Sequence, residues 1–189
     1  LSSTKVTTQG LLHLLSNSLI QEEYKLEQED VDKIIKCLQK SGFRWGIDGI
    51  DRNGDNRNSL EWCLERWLLG ITLPSTPGLA PKGIAPFSGT YTLDEITKWW
   101  RLLSKIKIHI QELRDSRSCN EWGVLLFSIL ESLFNVNDKF SLEYESFYSH
   151  LKNWENDAEN CNLRIDTIVL SEILKKYISL ESGRFGHRS

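Results

Sequence analysis

Apolar residues recur three and four apart through most of the chain, and that spacing predicts helices. Leu11, Leu12, Leu14 and Leu15 mark a short first helix, with Thr8 as its expected cap. Val31, Ile34, Ile35 and Leu38 mark a second from about Glu27 to Ser41, and Gly42 stands where a left-handed residue closes a helix. A third helix opens at Asn58 or Ser59 and is expected to stop at Gly70. Its wheel puts Leu60, Cys63, Leu64, Trp67 and Leu68 on one face, with Trp62 and Leu69 on the other. Burial between neighbouring elements is the plain reading of such a helix, and contact of Trp62 with a partner is the sharper one.

The best-specified segment follows. Thr92-x-x-Glu95 forms a capping box with a Tyr91–Ile96 staple, and Ile96, Trp99, Leu103, Ile106, Ile110 and Leu113 continue as a seam. Ser118-x-x-Glu121 is a second capping box, opening a helix with Trp122, Leu125 or Leu126, Ile129 and Leu133 along its seam. Joined by Arg114 to Ser118, the two helices are expected to fold back as a long antiparallel hairpin. Phe140, Tyr144, Phe147, Leu151 and Trp154 give a further seam, and Ile165, Ile168, Val169, Ile173, Leu174 and Tyr177 mark the last helix. The fold class is therefore all-α, a multi-helix bundle of roughly seven helices. The boundaries read as a helical segment 1–70, a Pro/Gly-rich arm 71–90, a helical bundle 91–182 and a basic tail 183–189. The arm holds Pro74, Pro77, Pro81 and Pro86, and reads equally as a mobile connection or as a segment that orders on a partner.

Composition narrows the function classes. With 189 residues, 40% hydrophobic and 26% charged, the chain reads as globular and large enough to bury a core without staples. Cys37, Cys63, Cys119 and Cys161 stand far apart with no C-x-x-C pair, which argues against zinc and against a disulfide framework, and fits a reducing, cytoplasmic setting. A net charge of −3 and a pI of about 5.9 are not those of an autonomous nucleic-acid binder. No apolar run reaches the roughly 18 residues of a membrane span. The absence of an initiating methionine suggests an internal fragment, and the basic, glycine-rich end suggests a continuation.

Between the second and third helices lies the densest stretch of the chain, Arg44 to Asn56, with three glycines, three aspartates and two arginines. Asp51-x-Asn53-x-Asp55 begins like a calcium loop, but Asn56 replaces the required glycine and Trp62 the closing carboxylate. Asn- and Asp-rich turns explain the stretch without an ion. Phosphate-loop, nucleophile-elbow and H-E-x-x-H motifs are absent, and His13, His109, His150 and His187 are scattered. Lys98, Arg101 and Lys105 form a stripe on the long helix, read as a solvated face in preference to a phosphate contact, and Lys107 as a snorkelling lysine at the edge of the seam.

Ser41-Gly42-Phe43-Arg44-Trp45-Gly46-Ile47-Asp48, followed by Trp62-Cys63-Leu64-Glu65-Arg66-Trp67-Leu68-Leu69-Gly70, resembles the middle of the RecC family, the gamma chains of bacterial exodeoxyribonuclease V. That family carries a similar S-G-x-R-W-G-I-D run and a G-L-x-R-x-L-L-G helix. Here Cys63 replaces the usual glycine and Trp67 a smaller apolar residue. The resemblance covers most of the chain. It implies a superfamily 1 helicase-like protein without ATPase motifs, in which this segment corresponds to an inserted, 2B-type helical subdomain. It also implies RecB-like and RecD-like partner subunits, DNA met through the assembled complex, no membrane, and a part in double-strand break repair. No residue here inherits a catalytic or Chi-reading role.

The resulting expectation is a non-catalytic scaffold and DNA-guiding fragment with no cofactor and no metal. Arg44, Trp45, Asp48, Asp51, Arg52, Trp62 and Arg66 are its candidate structural, DNA or partner contacts. Pairing of Arg44, Arg52 and Arg66 with Asp48, Asp51 or Asp55, locking the loop to the next helix, is preferred to DNA contact. A free-standing helical adaptor and a metal-dependent hydrolase using the loop aspartates are the competing classes.

Overall fold

A computed structural model describes residues 5–73, 83–134, 145, 148–154 and 163–185, with 177–185 as backbone alone. The chain divides into two compact units, Thr4–Gln111 and one that takes in Glu112–Ser189. The division falls between the two long helices expected to form a hairpin, and each finds its core within its own unit.

In the first unit, Thr7 is held extended by an antiparallel bridge to Trp45, so the helix starts one residue earlier than a cap at Thr8 would set it. Thr7 is the cap, its Oγ1 accepting from Gly10 N at 3.2 Å, and α1 runs Thr8–Leu15. A short α2, Ser18–Glu23, follows, capped by Asn17 and unannounced by any long periodicity. Helix α3, Gln28–Lys40, buries Val31, Ile34, Ile35, Cys37 and Leu38, and α1 packs on it. Gly42 has φ +99°, as a left-handed helix-closing residue requires.

Ser59 caps α4, Leu60–Thr72, by accepting from Trp62 N at 3.1 Å. Leu60, Cys63, Leu64 and Trp67 are buried as expected, whereas Leu68 is 45% exposed. Gly70 does not stop the helix. A Cβ there would lie 1.9 Å from the Phe87 carbonyl oxygen, so the glycine admits a returning backbone segment against the helix. That segment, 84–87, is tied by Phe87 N to Arg66 O at 3.0 Å and by buried Ile84. Most of the expected Pro/Gly-rich arm, 74–82, lies outside the described residues.

The Thr92–Glu95 capping box is formed, and α5, Leu93–Glu112, buries Ile96, Trp99, Leu102, Leu103 and Ile106. Tyr91 lies edge-on to Trp99 with ring centroids 5.2 Å apart, a turn further along than the expected Ile96 staple.

The second unit is built on tryptophans. Strand β1, Arg117–Ser118, leads into α6, Cys119–Leu133, through the expected Ser118–Glu121 capping box. Trp122, Trp154, Ile165 and Leu170 form its buried cluster, with Leu125, Leu126, Ile173 and Leu174 against it. Both indoles are anchored: Trp122 Nε1 donates to Ile165 O at 2.9 Å and Trp154 Nε1 to Cys119 O at 2.8 Å. Ile165 belongs not to the last helix but to β2, Arg164–Ile165, which pairs antiparallel with β1. The reason is Asp166, whose Oδ1 accepts from Val169 N at 2.9 Å and starts α7, Thr167–Phe185. The buried position is consequently Leu170, while Ile168 and Val169 are each 45% exposed. Leu151 and Trp154 are buried on a helical stretch, 148–154, but Phe140, Tyr144 and Phe147 lie outside the described residues. The two-residue ladder leaves the class unchanged, an all-α multi-helix bundle.

Candidate functional site

The Arg44–Asn56 stretch is a fastened loop. Its ends are closed by Arg44 N to Asn58 O at 2.9 Å and by Leu60 N to Gly46 O at 3.0 Å, which set the loop against the start of α4. Gly46 N donates to Val6 O at 2.7 Å, joining the loop to the chain's first described segment. Inside it, Gly54 N and Arg52 N both reach Gly49 O, at 2.8 and 3.1 Å. Many of the loop's backbone groups thus have a local partner, which is what an aspartate- and glycine-rich turn supplies.

The aspartates hold backbone. Asp51 Oδ2 accepts from Ile47 N at 2.6 Å. Asp48, 5% exposed, accepts from Ile50 N at 2.9 Å and from Gln111 Nε2 at 2.6 Å, the second bond reaching the end of α5. The arginines do not take the places expected for them. Arg57, not singled out by the sequence, grips Asp55 with two bonds of 2.9 Å and holds its carboxyl down at about 2. Arg52 donates to Trp45 O at 3.2 Å and lies 4.6 Å from the Trp45 ring, where Lys5 Nζ also sits at 4.5 Å. Arg52 thus stacks on an indole, while its charge also helps to lower the Asp55 carboxyl.

Arg66 is the strongest tie between segments distant in sequence. Its Nε donates to Ala85 O at 2.8 Å and its Nη1 to Ser41 O, and it stacks on Trp62 at 4.7 Å. It therefore bolts the end of α3, helix α4 and the 84–87 segment together, through carbonyls and not through an aspartate. Trp62, half-buried, carries that guanidinium over its ring. Arg44 remains the exposed cation of the loop.

The lysines of α5 are also structural. Lys107 Nζ meets Glu61 Oε1 at 2.9 Å, an ion pair in place of the expected snorkel, and Asn56 Nδ2 takes the other oxygen at 3.1 Å. Lys98 donates to Lys25 O at 2.7 Å and Lys105 lies 5.7 Å from the Tyr24 ring, so part of the stripe closes the end of α2 and is not a solvated face. Signals for Arg57 and Lys107 were present in the spacing Asp55-x-Arg57 and in a cation at a seam edge. Partners of Arg66 and Lys5 lie too far along the chain to be read locally.

Burial pushes the Cys37 thiol up to about 12 and that of Cys63 to about 11, making both poor nucleophiles. Among the described residues no group of three or more His, Cys, Asp and Glu side chains is placed to hold a metal ion, and no helix is long and apolar enough to cross a membrane.

The described residues of the first unit thus form a helical unit whose Asp- and Gly-rich loop is fastened against the start of α4 and carries an exposed cation, Arg44. Residues 1–182 match the family model described as RecBCD enzyme subunit RecC fourth domain, and the chain belongs to that family. No curated protein matches the chain.

Proposed function

We propose that this chain is a non-catalytic scaffold and DNA-guiding part of a RecC-like subunit of the RecBCD helicase/nuclease, working in double-strand break repair and recombination. Membership of the RecC fourth-domain family carries the reading. It corresponds to the 2B-type helical insertion of a helicase-like protein and works in the cytoplasm beside RecB-like and RecD-like motor subunits. The loop chemistry supports a guiding role. Lys5 and Arg52 gather on Trp45, and exposed Arg44 stands immediately before Trp45 in the chain, so positive charge is grouped on a fastened support. Phosphate contacts of that kind position a nucleic acid without reading its sequence. Lys5 and Arg44 are the contacts, and Arg52 positions Trp45.

The test is reconstitution. The subunit carrying this chain should co-elute with the motor subunits, and ATP hydrolysis and DNA cleavage should reside in the motors alone. Hydrolysis of either substrate by the purified 189-residue chain would overturn the non-catalytic part of the reading.

A further inference from the structure

Asn53-Gly54 is the one Asn-Gly step in the sequence, and it lies in the inner turn of the fastened loop. Such a step is prone to lose the asparagine amide, because glycine puts no side chain in the way of its own nitrogen attacking the preceding side chain. The electrophile is open. Asn53 is exposed, and among the described residues its carboxamide has no partner. A Cβ at Gly54 would meet nothing within 4 Å, so no neighbour screens the approach.

The other asparagines of the first unit are held. Asn17 Oδ1 accepts from Leu19 N at 3.0 Å. Asn56 donates through Nδ2 to Glu61 at 3.1 Å and accepts from Ser59 Oγ at 2.6 Å. Asn58 is half-buried beside Gly42, and the residue after it, Ser59, is buried.

At Asn53 the restraint falls on the nucleophile instead. Gly54 N donates to Gly49 O at 2.8 Å, and Arg52 N donates to the same carbonyl at 3.1 Å. The nitrogen attacks only after losing its proton, and that proton is committed while the bond stands. Bonds from Arg44 N, Gly46 N and Leu60 N fasten the surrounding loop, so freeing Gly54 N takes a local opening.

We propose that Asn53 is a site of spontaneous deamidation, and that the bond from Gly54 N to Gly49 O is the brake on it. When the turn opens, Gly54 N gives its proton to solvent base and attacks Asn53 Cγ. A new C–N bond forms, the side-chain amide bond breaks and ammonia leaves. Water then opens the cyclic imide at either carbonyl, leaving aspartate or isoaspartate. Both products put a new carboxylate next to Arg52. Isoaspartate also adds a carbon to the main chain inside the turn, which takes Gly54 N out of register with Gly49 O. Nothing in this chemistry depends on what the chain binds.

The test holds the purified chain at mildly alkaline pH, either folded, in sub-denaturing guanidinium chloride, or unfolded. Peptides are then mapped by mass spectrometry that separates aspartate from isoaspartate. In the folded chain, conversion at Asn53 should exceed that at Asn17, Asn56 and Asn58. Unfolding should speed it by about tenfold or more. Between those limits it should rise in step with hydrogen exchange of the Gly54 amide. Asn53→Gln, whose longer side chain cyclises poorly, should remove the isoaspartate. No conversion at Asn53, or faster conversion at another of these asparagines in the folded chain, would overturn the site. Equal rates in the folded and unfolded chain, or a rate indifferent to Gly54 exchange, would overturn the brake.

Discussion

Gly70→Ala should destabilise the first unit, against the usual sign for a glycine inside a helix. Where nothing opposes the methyl group, alanine gains about 1 kcal/mol over glycine in a helix interior. Here the new Cβ would lie 1.9 Å from Phe87 O and 2.8 Å from Phe87 C, and both are backbone atoms that no rotamer change can move. The 84–87 segment must lift away from α4. Lifting it breaks Phe87 N to Arg66 O at 3.0 Å and the charged Arg66 Nε to Ala85 O bond at 2.8 Å. Those bonds contribute about 0.5–1.5 and about 1.5–3 kcal/mol respectively. Ile84, 9% exposed, would lose part of its burial, which is worth about 1.5–3 kcal/mol when complete. With partial relaxation and the helix gain set against these, a net loss of about 2–4 kcal/mol remains.

Urea titration followed by tryptophan fluorescence reads this directly, because Trp67 and Trp99 are buried in the same unit. The midpoint should fall by roughly 1–2 M. Gly54→Ala is the control. Its φ is +91° but nothing lies within 4 Å, so it should cost only about 1 kcal/mol of backbone strain. An unchanged or raised midpoint for Gly70→Ala would refute the close-approach argument.

The remaining expectations concern thiols and caps. A thiol-reactive dye at about pH 8 should label partly exposed Cys119 readily, and Cys37 and Cys63 only on unfolding. Both buried thiols hold their protons more tightly folded than unfolded. Their contribution is therefore complete below the unfolded value of about 8.5 and is lost as pH rises toward the folded values of about 11 and 12. A urea midpoint that failed to drop between about pH 8 and 10 would contradict this. Ser118→Ala should cost about 1 kcal/mol in the second unit. Glu121 is held below its ordinary value by the bonds from Ser118, so its part in the cap is present above the unfolded carboxylate range and is lost as pH falls through the folded value. The difference between Ser118→Ala and the unaltered chain should accordingly shrink in acid, as thermal melts would show.

What could be read from the chain was mostly local chemistry. The capping boxes at Thr92 and Ser118, the cap at Ser59 and the left-handed Gly42 depend on neighbours within a few residues, and they stand as expected. Errors came where a distant partner decides. Gly70 looks like a stop until Phe87 is placed against it, and Thr8 looks like a cap until Trp45 pairs with Thr7. Spacing alone turns Ile168 and Val169 of the last helix inward, whereas the Asp166 cap and the Trp122 anchor turn Leu170 inward instead. In the loop, residue types announced a fastening, and a fastening is what they make. Opposite charges suggest arginine–aspartate pairs; what local spacing does not show is that Asp48 and Asp51 also hold backbone amides and that Arg52 and Arg66 also reach indole rings and carbonyls. Periodicity carries no information on such partners.

The measurement closest to the central claim is forked-DNA binding by the assembled complex, across a range of salt, with Arg44→Ala beside the unaltered chain. Arg44 is exposed and, among the described residues, joins the fastening through its backbone N–H, so its side chain can be removed with the loop intact. If the chain guides DNA, binding weakens and the slope of log affinity on log salt becomes shallower by about one. Equal affinity and an equal slope would contradict the guiding role and leave the chain as scaffold alone.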